Sequence, residues 1–207
     1  MILFTDNDIF LKLAGCNLLI PFCEAIDLEH EKIFLSPSAK FSLSSQIEKK
    51  LTNQHIKEEL NNVLNKINYL SQDTNTEPDL IDKLAEVPNL DLGEGFLFLA
   101  AYANPNSKLA TGDKRALKAL LNNSEIENIQ VSLFKRVYTF ELALLLLMKK
   151  LGFEEVSQKV SNRCIDDKVL ELAYGNNRSY ADAMACLSSY TREFECFLAH
   201  PELLVNL

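Results

Sequence analysis

Ile2-Leu3-Phe4-Thr5-Asp6-Asn7-Asp8-Ile9 decides how this chain folds. Ile2 to Thr5 is a short apolar, β-compatible run, and Asp6 ends it. Ile9, Phe10, Leu13 and Ala14 then recur at helical spacing, so a helix begins near Asn7 or Asp8 and Gly15 ends it. A strand passing directly into a helix is the first half of a βα unit, and the chain repeats that pattern. Asn17 to Leu28 predicts a second helix, with Pro21 tolerated in its first turn. Lys32 to Leu35 predicts a second strand, followed by a helix entry in which Ser36 is the N-cap and Pro37 the first helical residue.

Two polar helices are expected over roughly 38–51 and 54–69, then an exposed loop over Ser71 to Pro78 and a short helix over about 79–86. Gly93 to Ala103 predicts a buried helix with Glu94 in its first turn. Lys108 to Thr111 predicts a strand running into Gly112-Asp113, and residues 113–122 a helix. The alternation in Ile129 to Leu133 predicts another strand, and residues 137–151 a hydrophobic helix ending at Gly152. Strands alternating with helices over 1–152 imply an α/β domain with a central parallel sheet. Residues 153–207 are expected to be a purely helical C-terminal extension packed on that domain, with an amphipathic last helix from about Tyr180 to Leu198.

The bulk composition fits this division. A chain of 207 residues with 47% hydrophobic and 24% charged residues supports one cored domain, with or without an extension. Met1-Ile2-Leu3-Phe4 lacks a basic segment and meets Asp6 at once, which predicts no signal peptide. The longest apolar run, Leu142 to Met148, is too short to span a membrane. The five cysteines (Cys16, Cys23, Cys164, Cys186, Cys196) and three histidines show no ligand spacing. The cysteines are expected to be reduced core residues of a cytoplasmic protein, and zinc is not expected. A net charge of −8 argues against unaided nucleic-acid binding and for a metal or a basic protein partner.

Three acidic motifs carry the chemistry: Thr5-Asp6-Asn7-Asp8, Asp91-Leu92-Gly93-Glu94 and Thr111-Gly112-Asp113-Lys114. Each acid stands at a strand end or a helix start. Each therefore has two readings, a helix cap and a functional carboxylate. Asp6, Asn7 and Asp8 compete for a single cap. Glu94 opens a helix too apolar to lie on the surface, where a carboxylate needs a partner. Asp113 follows Gly112, which permits close approach. If sites form at the carboxyl ends of parallel strands, Asp6, Glu94 and Asp113 would share one pocket, where a divalent cation relieves their repulsion. Asp8 would orient Asp6 or a water. Glu141 would be a fourth acid, or would mark a solvent stripe with Lys149 and Lys150. Thr111, Lys114 and Lys12 would reach a phosphate.

On these residues the chain resembles the PIN-domain family. Leu3-Phe4-Thr5-Asp6-Asn7-Asp8-Ile9 is similar to its opening strand and acidic step, and Lys32-Ile33-Phe34-Leu35-Ser36-Pro37 to its second strand and helix entry. Asp91-Leu92-Gly93-Glu94-Gly95-Phe96-Leu97 is similar to its Gly-Glu helix start. Leu109-Ala110-Thr111-Gly112-Asp113 is similar to its late Thr-x-Asp step. The resemblance covers roughly residues 1–150. It implies a three-layer α/β/α fold and a Mg²⁺- or Mn²⁺-dependent endoribonuclease, with Asp6, Glu94 and Asp113 as metal ligands and catalytic residues. It also implies RNA as substrate and, for toxin-like members, an antitoxin-like protein partner.

Two alternatives stay open. One is a catalytically weak or inactive PIN-like module that binds a protein or RNA partner. The other is a phosphatase similar to the haloacid-dehalogenase type, with Asp6 as nucleophile and Asp8 as general acid. Against the phosphatase, Phe10 replaces a small β-branched residue, no acid follows Asp113 within four residues, and Glu94 has no role.

Overall fold

The computed structural model describes residues 1–71 and 78–205. The chain begins with β1 (Ile2–Thr5), α1 (Asn7–Gly15) and α2 (Leu19–Ala25). It continues through β2 (Ile33–Leu35), α3 (Ala39–Lys50), α4 (Gln54–Leu64) and β3 (Asn68–Tyr69). Next come α5 (Pro78–Ala85), α6 (Leu92–Ala103), β4 (Ser107–Thr111), α7 (Lys114–Leu121) and α8 (Glu127–Ser132). The chain then runs through β5 (Val137–Thr139), α9 (Phe140–Leu151), α10 (Phe153–Ser161), α11 (Lys168–Tyr174) and α12 (Tyr180–Thr191).

The strands are parallel in the order β3-β2-β1-β4-β5, and helices cover the sheet in a three-layer α/β/α arrangement. The α/β class is the one expected. β1 is the central strand, with Thr5 beside Leu35 on one side and Ala110 on the other. Leu3, Phe4 and Thr5 are all buried, as a parallel strand covered on both faces requires. Helix α6, backed by α5 and α8, packs on β1 and β4, while α1 and α9 pack on β4 and β5. The strand order reverses between β1 and β4. In a parallel sheet the carboxyl ends of two such strands leave a crevice between the loops that follow them.

Four expectations about the first 152 residues are corrected. Ile129 to Leu133 is helical (α8), not a strand. Ile126, Ile129 and Leu133 are fully buried while Val131 is 51% exposed, so the burial follows helical spacing and the apparent alternation is accidental. The fifth strand is β5, which was absorbed into the helix expected over 137–151; three residues carry no periodicity of their own. Likewise the helix expected over 54–69 stops at Leu64, and Asn68–Tyr69 pairs with β2. Finally, α3 opens at Ala39 with Ser38, not Ser36, in the cap position. The Ser36 carbonyl accepts the Ala39 N–H at 3.1 Å in a turn through Pro37 and Ser38. Of the loop expected over 71–78, residues 72–77 lie outside the described residues.

The segment after 152 is not purely helical. Helix α12 ends at Thr191, and Leu198 forms a parallel bridge with Val137 on the outer edge of β5. The Phe197 carbonyl accepts the Val137 N–H, and the Ala199 N–H donates to the Val137 carbonyl, both at 2.8 Å. Helices α10 and α12 pack on α9. A second tie reaches α1, where the Cys164 N–H donates to the Gly15 carbonyl at 2.9 Å.

Gly15 makes that tie possible. A Cβ there would stand 2.5 Å from Ile165 Cγ2 and 2.8 Å from its Cβ, and the stiff branched side chain cannot swing aside. Gly15→Ala is therefore expected to destabilise by about 1–2 kcal/mol, overpacking outweighing a helix-propensity gain of up to ~1 kcal/mol. A urea titration measures it; a gain in stability would show that the 164–167 segment gives way freely.

Arg136, only 9% exposed, fastens the opposite end of the sheet. Its guanidinium donates to the carbonyls of Ala101 and Asn104 (both 2.6 Å), Ser132 (2.7 Å) and Ser107 (3.0 Å), and to Ser107 Oγ (2.8 Å). The ends of α6 and α8 and the start of β4 thus meet on one side chain.

Of the five cysteines, Cys16, Cys23 and Cys164 are buried as expected, but Cys196 is exposed and Cys186 half-buried. Among the described residues no helix is long and apolar enough to cross a membrane.

Candidate active site

The crevice beyond β1 and β4 is a cleft of about 260 Å³. Asp6, Asn7, Asp8, Asp91, Glu94 and Asp113 line it, with Ser36, Ser38, Gln46 and Lys50 on the facing wall. The fold thus brings Asp6, Glu94 and Asp113 together from the starts of α1, α6 and α7. Five carboxylates face one lysine among the lining residues, so the cleft favours a cation and opposes an unaccompanied phosphate.

Asp6 forms the floor. Its Oδ1 caps α1 by accepting the Ile9 N–H at 2.8 Å. Its Oδ2 accepts the Thr111 hydroxyl at 2.6 Å and the Gly112 N–H at 2.8 Å. The carboxylate therefore ties the end of β1 to the turn after β4. Of its roughly four lone-pair sites, three are taken. Burial raises its pKa; the donors from Thr111, Ile9 and Gly112 oppose this, and the Asp8 charge adds to it. Thr111, expected to face a phosphate, is instead turned onto Asp6.

Glu94 and Asp91 form a capping box at the start of α6: the Glu94 N–H donates to Asp91 Oδ1 at 2.8 Å, and the Asp91 N–H to Glu94 Oε2 at 3.0 Å. Capping and the cleft thus draw on the same side chain. Asp113 caps α7, accepting the Arg115 N–H at 2.8 Å and the Ala116 N–H at 3.2 Å, and pairs with the exposed Arg115 guanidinium at 2.9 Å.

Glu94 and Asp113 also line the same cleft, near enough for each to shift the other's titration. Burial, then the Asp113 and Asp91 charges, push the Glu94 carboxyl up to about 8, against the Asp91 N–H. Burial also acts upward on Asp113, but the Arg115 guanidinium, the backbone donors and Glu94 hold it below its ordinary value. Glu94 therefore holds its proton more tightly than a free carboxyl, and Asp113 less tightly.

A pH dependence follows. The folded protein binds the Glu94 proton more tightly than the unfolded chain, whose ordinary value is 4.5. This contribution is fully present below about 4.5 and is lost as pH rises towards 8. Because Glu94 stays partly exposed, water screens the effect to about 1–2 kcal/mol. Metal-free protein should melt lower at pH 8 than at pH 5.5 for this reason, and Glu94→Gln should flatten the slope.

Of the five accessory residues only Asp8 lines the cleft, and the other four lie elsewhere. Lys12 is held between Asp8 (2.7 Å) and Asp167 (3.0 Å) and stands 5.5 Å from the centre of the Phe140 ring. Lys114 pairs with Glu141 and lies 4.9 Å from the centre of the Tyr190 ring. None of Lys12, Lys114, Thr111 and Glu141 lines the cleft. Glu141 is only 3% exposed, so it is on no solvent stripe with Lys149 and Lys150; it is the buried counter-ion of Lys114.

The sequence reading missed Asn7 as a cleft residue. Its Nδ2 donates to Ser42 Oγ at 3.3 Å, while its buried Oδ1 has no hydrogen-bond partner. The Asp91-x-x-Glu94 spacing was a visible sign of the capping box, and the four-residue steps Ser38, Ser42, Gln46 and Lys50 were a visible sign of one helix face.

The cleft's donors suit a hard divalent cation. Neighbouring carboxylate charges press on Glu94 in a way a cation would relieve, the Asn7 Oδ1 is an unpartnered oxygen in the same cleft, and all the donors are oxygens. Among the described residues, however, no three carboxylate, histidine or cysteine side chains already stand close enough to ring a metal ion. Compared with known proteins, the chain matches no family model, no curated protein and no solved structure.

Proposed function

We propose that this cleft is a Mg²⁺- or Mn²⁺-dependent endoribonuclease site of the PIN type. The observation that carries the proposal is the convergence of Asp6, Asp8, Asp91, Glu94 and Asp113 on one acid-walled crevice at the strand ends. Glu94 and Asp113 would hold the cation. Asp6 adds negative field from behind and has one lone-pair site left. When bound, the cation would activate a water and offset charge on the phosphoryl oxygens. The protein's own part is orientation: Thr111 and Gly112 fix Asp6, Asp91 fixes Glu94, and Arg115 fixes Asp113.

The test is cleavage of single-stranded and structured RNA with Mg²⁺, with Mn²⁺ and with EDTA. Cleavage that needs the metal supports the proposal. A second reading, an inactive module that binds a protein or RNA partner, is favoured by the absence of a ready three-group ring among the described residues. It gains if no condition yields cleavage. The phosphatase reading is weakened by the three donors on Asp6 and the Lys12 pairing of Asp8. A phosphoaspartate trapped at Asp6 would revive it.

A further inference from the structure

We infer that the cleft takes a single divalent cation, because Lys12 stands on Asp8 where a second one would bind. The inference rests on the metal site proposed above and deepens it. It assigns Lys12 as the residue that sets the number of ions, and Asp167, in the segment after 152, as the residue that holds Lys12 there.

Two-metal sites keep their ions about 3.5–4 Å apart, so both ions must draw on one group of carboxylates. Of the five acids lining the cleft, four are already engaged at helix starts. Asp6 accepts the Ile9 N–H, the Thr111 hydroxyl and the Gly112 N–H, which leaves one of its roughly four lone-pair sites. Asp113 accepts the Arg115 and Ala116 N–H groups and the Arg115 guanidinium, which leaves it about one as well. Neither can bridge two ions. Asp91 and Glu94 each give an oxygen to the other's backbone N–H. Asp8 is the exception, since its carboxylate caps no helix among the described residues. It also adjoins Asp6: a Cβ on Gly112, whose N–H holds Asp6, would stand 2.6 Å from Asp8 Oδ2. A second ion would therefore have to bind at Asp8.

Lys12 already fills that place. Its Nζ lies 2.7 Å from Asp8 Oδ2, one turn back along α1, and 3.0 Å from Asp167 Oδ2. Asp167 is fixed in turn. Its side chain is only 8% exposed, and its Oδ1 caps α11 by accepting the Val169 N–H at 2.8 Å and the Leu170 N–H at 3.1 Å. The ammonium is thus clamped between two carboxylates, one of them rigidly held. In contact with Asp8 it cancels the charge that would attract a second cation, and it repels any cation placed beside it. Lys12 does for Asp8 what the bound ion would do for Glu94 and Asp113. Through this clamp the segment after 152 takes part in the site.

The test is a count of Mn²⁺ bound to the metal-free full chain, read from the electron paramagnetic resonance signal of the free ion. The wild type is expected to bind one ion. Lys12→Met combined with Asp167→Asn is expected to admit a second. This pair of changes leaves no buried carboxylate without a partner, and the asparagine oxygen can still accept the Val169 and Leu170 N–H groups. Adding Asp8→Asn to that variant should return the count to one. Asp8→Asn alone should keep one ion, with an affinity within about tenfold of wild type, because the Asp8 charge is already cancelled. Two ions on the wild type overturn the inference and leave the nuclease proposal standing. One ion on the Lys12→Met, Asp167→Asn variant, or lost binding in Asp8→Asn, overturns the role of Lys12. The expected counts without RNA cleavage in any metal would keep the inference and remove the nuclease proposal. No ion on the wild type overturns the metal site and the inference together. If the combined variant fails to fold, the other two counts decide: one ion on both the wild type and Asp8→Asn supports the inference, and any other result overturns it.

Discussion

Glu94→Gln is expected to reduce metal-dependent RNA cleavage by about 100-fold or more, the scale on which disturbing a metal site acts. It should do so without unfolding the protein. The glutamine carbonyl can still accept the Asp91 N–H that Glu94 Oε2 now accepts, so the cap on α6 survives. The amide cannot give up a proton, so no second negative charge can form beside Asp113 to hold a cation. The same change should raise the metal-free stability at pH 8 by about 1–2 kcal/mol, because the wild type must there bear two carboxylates side by side. Lower activity with higher stability is an uncommon pair of effects, and a casual loss of folding cannot produce it. Cleavage equal to wild type would place the chemistry elsewhere. Asp6→Asn is a poorer probe. Its two oxygens face donors on both sides, so the new NH₂ must point at the Ile9 N–H or at the Thr111 and Gly112 donors. That costs about 1–3 kcal/mol whatever the function.

The largest stability effect is expected at Arg136. Arg136→Met should cost about 3–5 kcal/mol, because several buried acceptors lose their donor at about 1–3 kcal/mol for each left unsatisfied. The charge has no carboxylate partner among the described contacts, and five oxygens from three elements share it. Methionine fills much of the volume but leaves those acceptors facing an apolar chain. A chemical denaturation series measures the loss. A cost under about 1 kcal/mol would mean that water replaces the guanidinium without penalty. Since Arg136 lies at the end of the sheet away from the cleft, the folded fraction of this variant should keep any RNA affinity.

Local signals made much of the architecture legible. The strand-to-helix step at Asp6, the apolar helix behind Glu94 and the Gly112-Asp113 turn each declare themselves within ten residues. All three lie where parallel topology gathers them. What escaped was short or distant. β3 and β5 have too few residues to show a period, and Ile129 with Leu133 imitates an alternation that the exposed Val131 exposes as helical. Lys114 and Glu141 are 27 residues apart, and only the folded sheet reveals that they pair. Hence the carboxylates could be named from sequence, while the lysines assigned to a phosphate turned out to be committed to other partners.

The ties made by the segment after 152 also set an order of events during synthesis. Gly15 and Cys164 are separated by 149 residues, so at about 5–20 residues per second roughly 7–30 s pass between their leaving the ribosome. For that interval the end of α1 lacks its partner, and the outer edge of β5 then waits further for Leu198. A nascent chain paused before residue 164 would offer a bare strand edge beside the apolar α9, the kind of surface that recruits a chaperone or a neighbouring chain. The last stretch of sequence thus closes the sheet in time as well as in space.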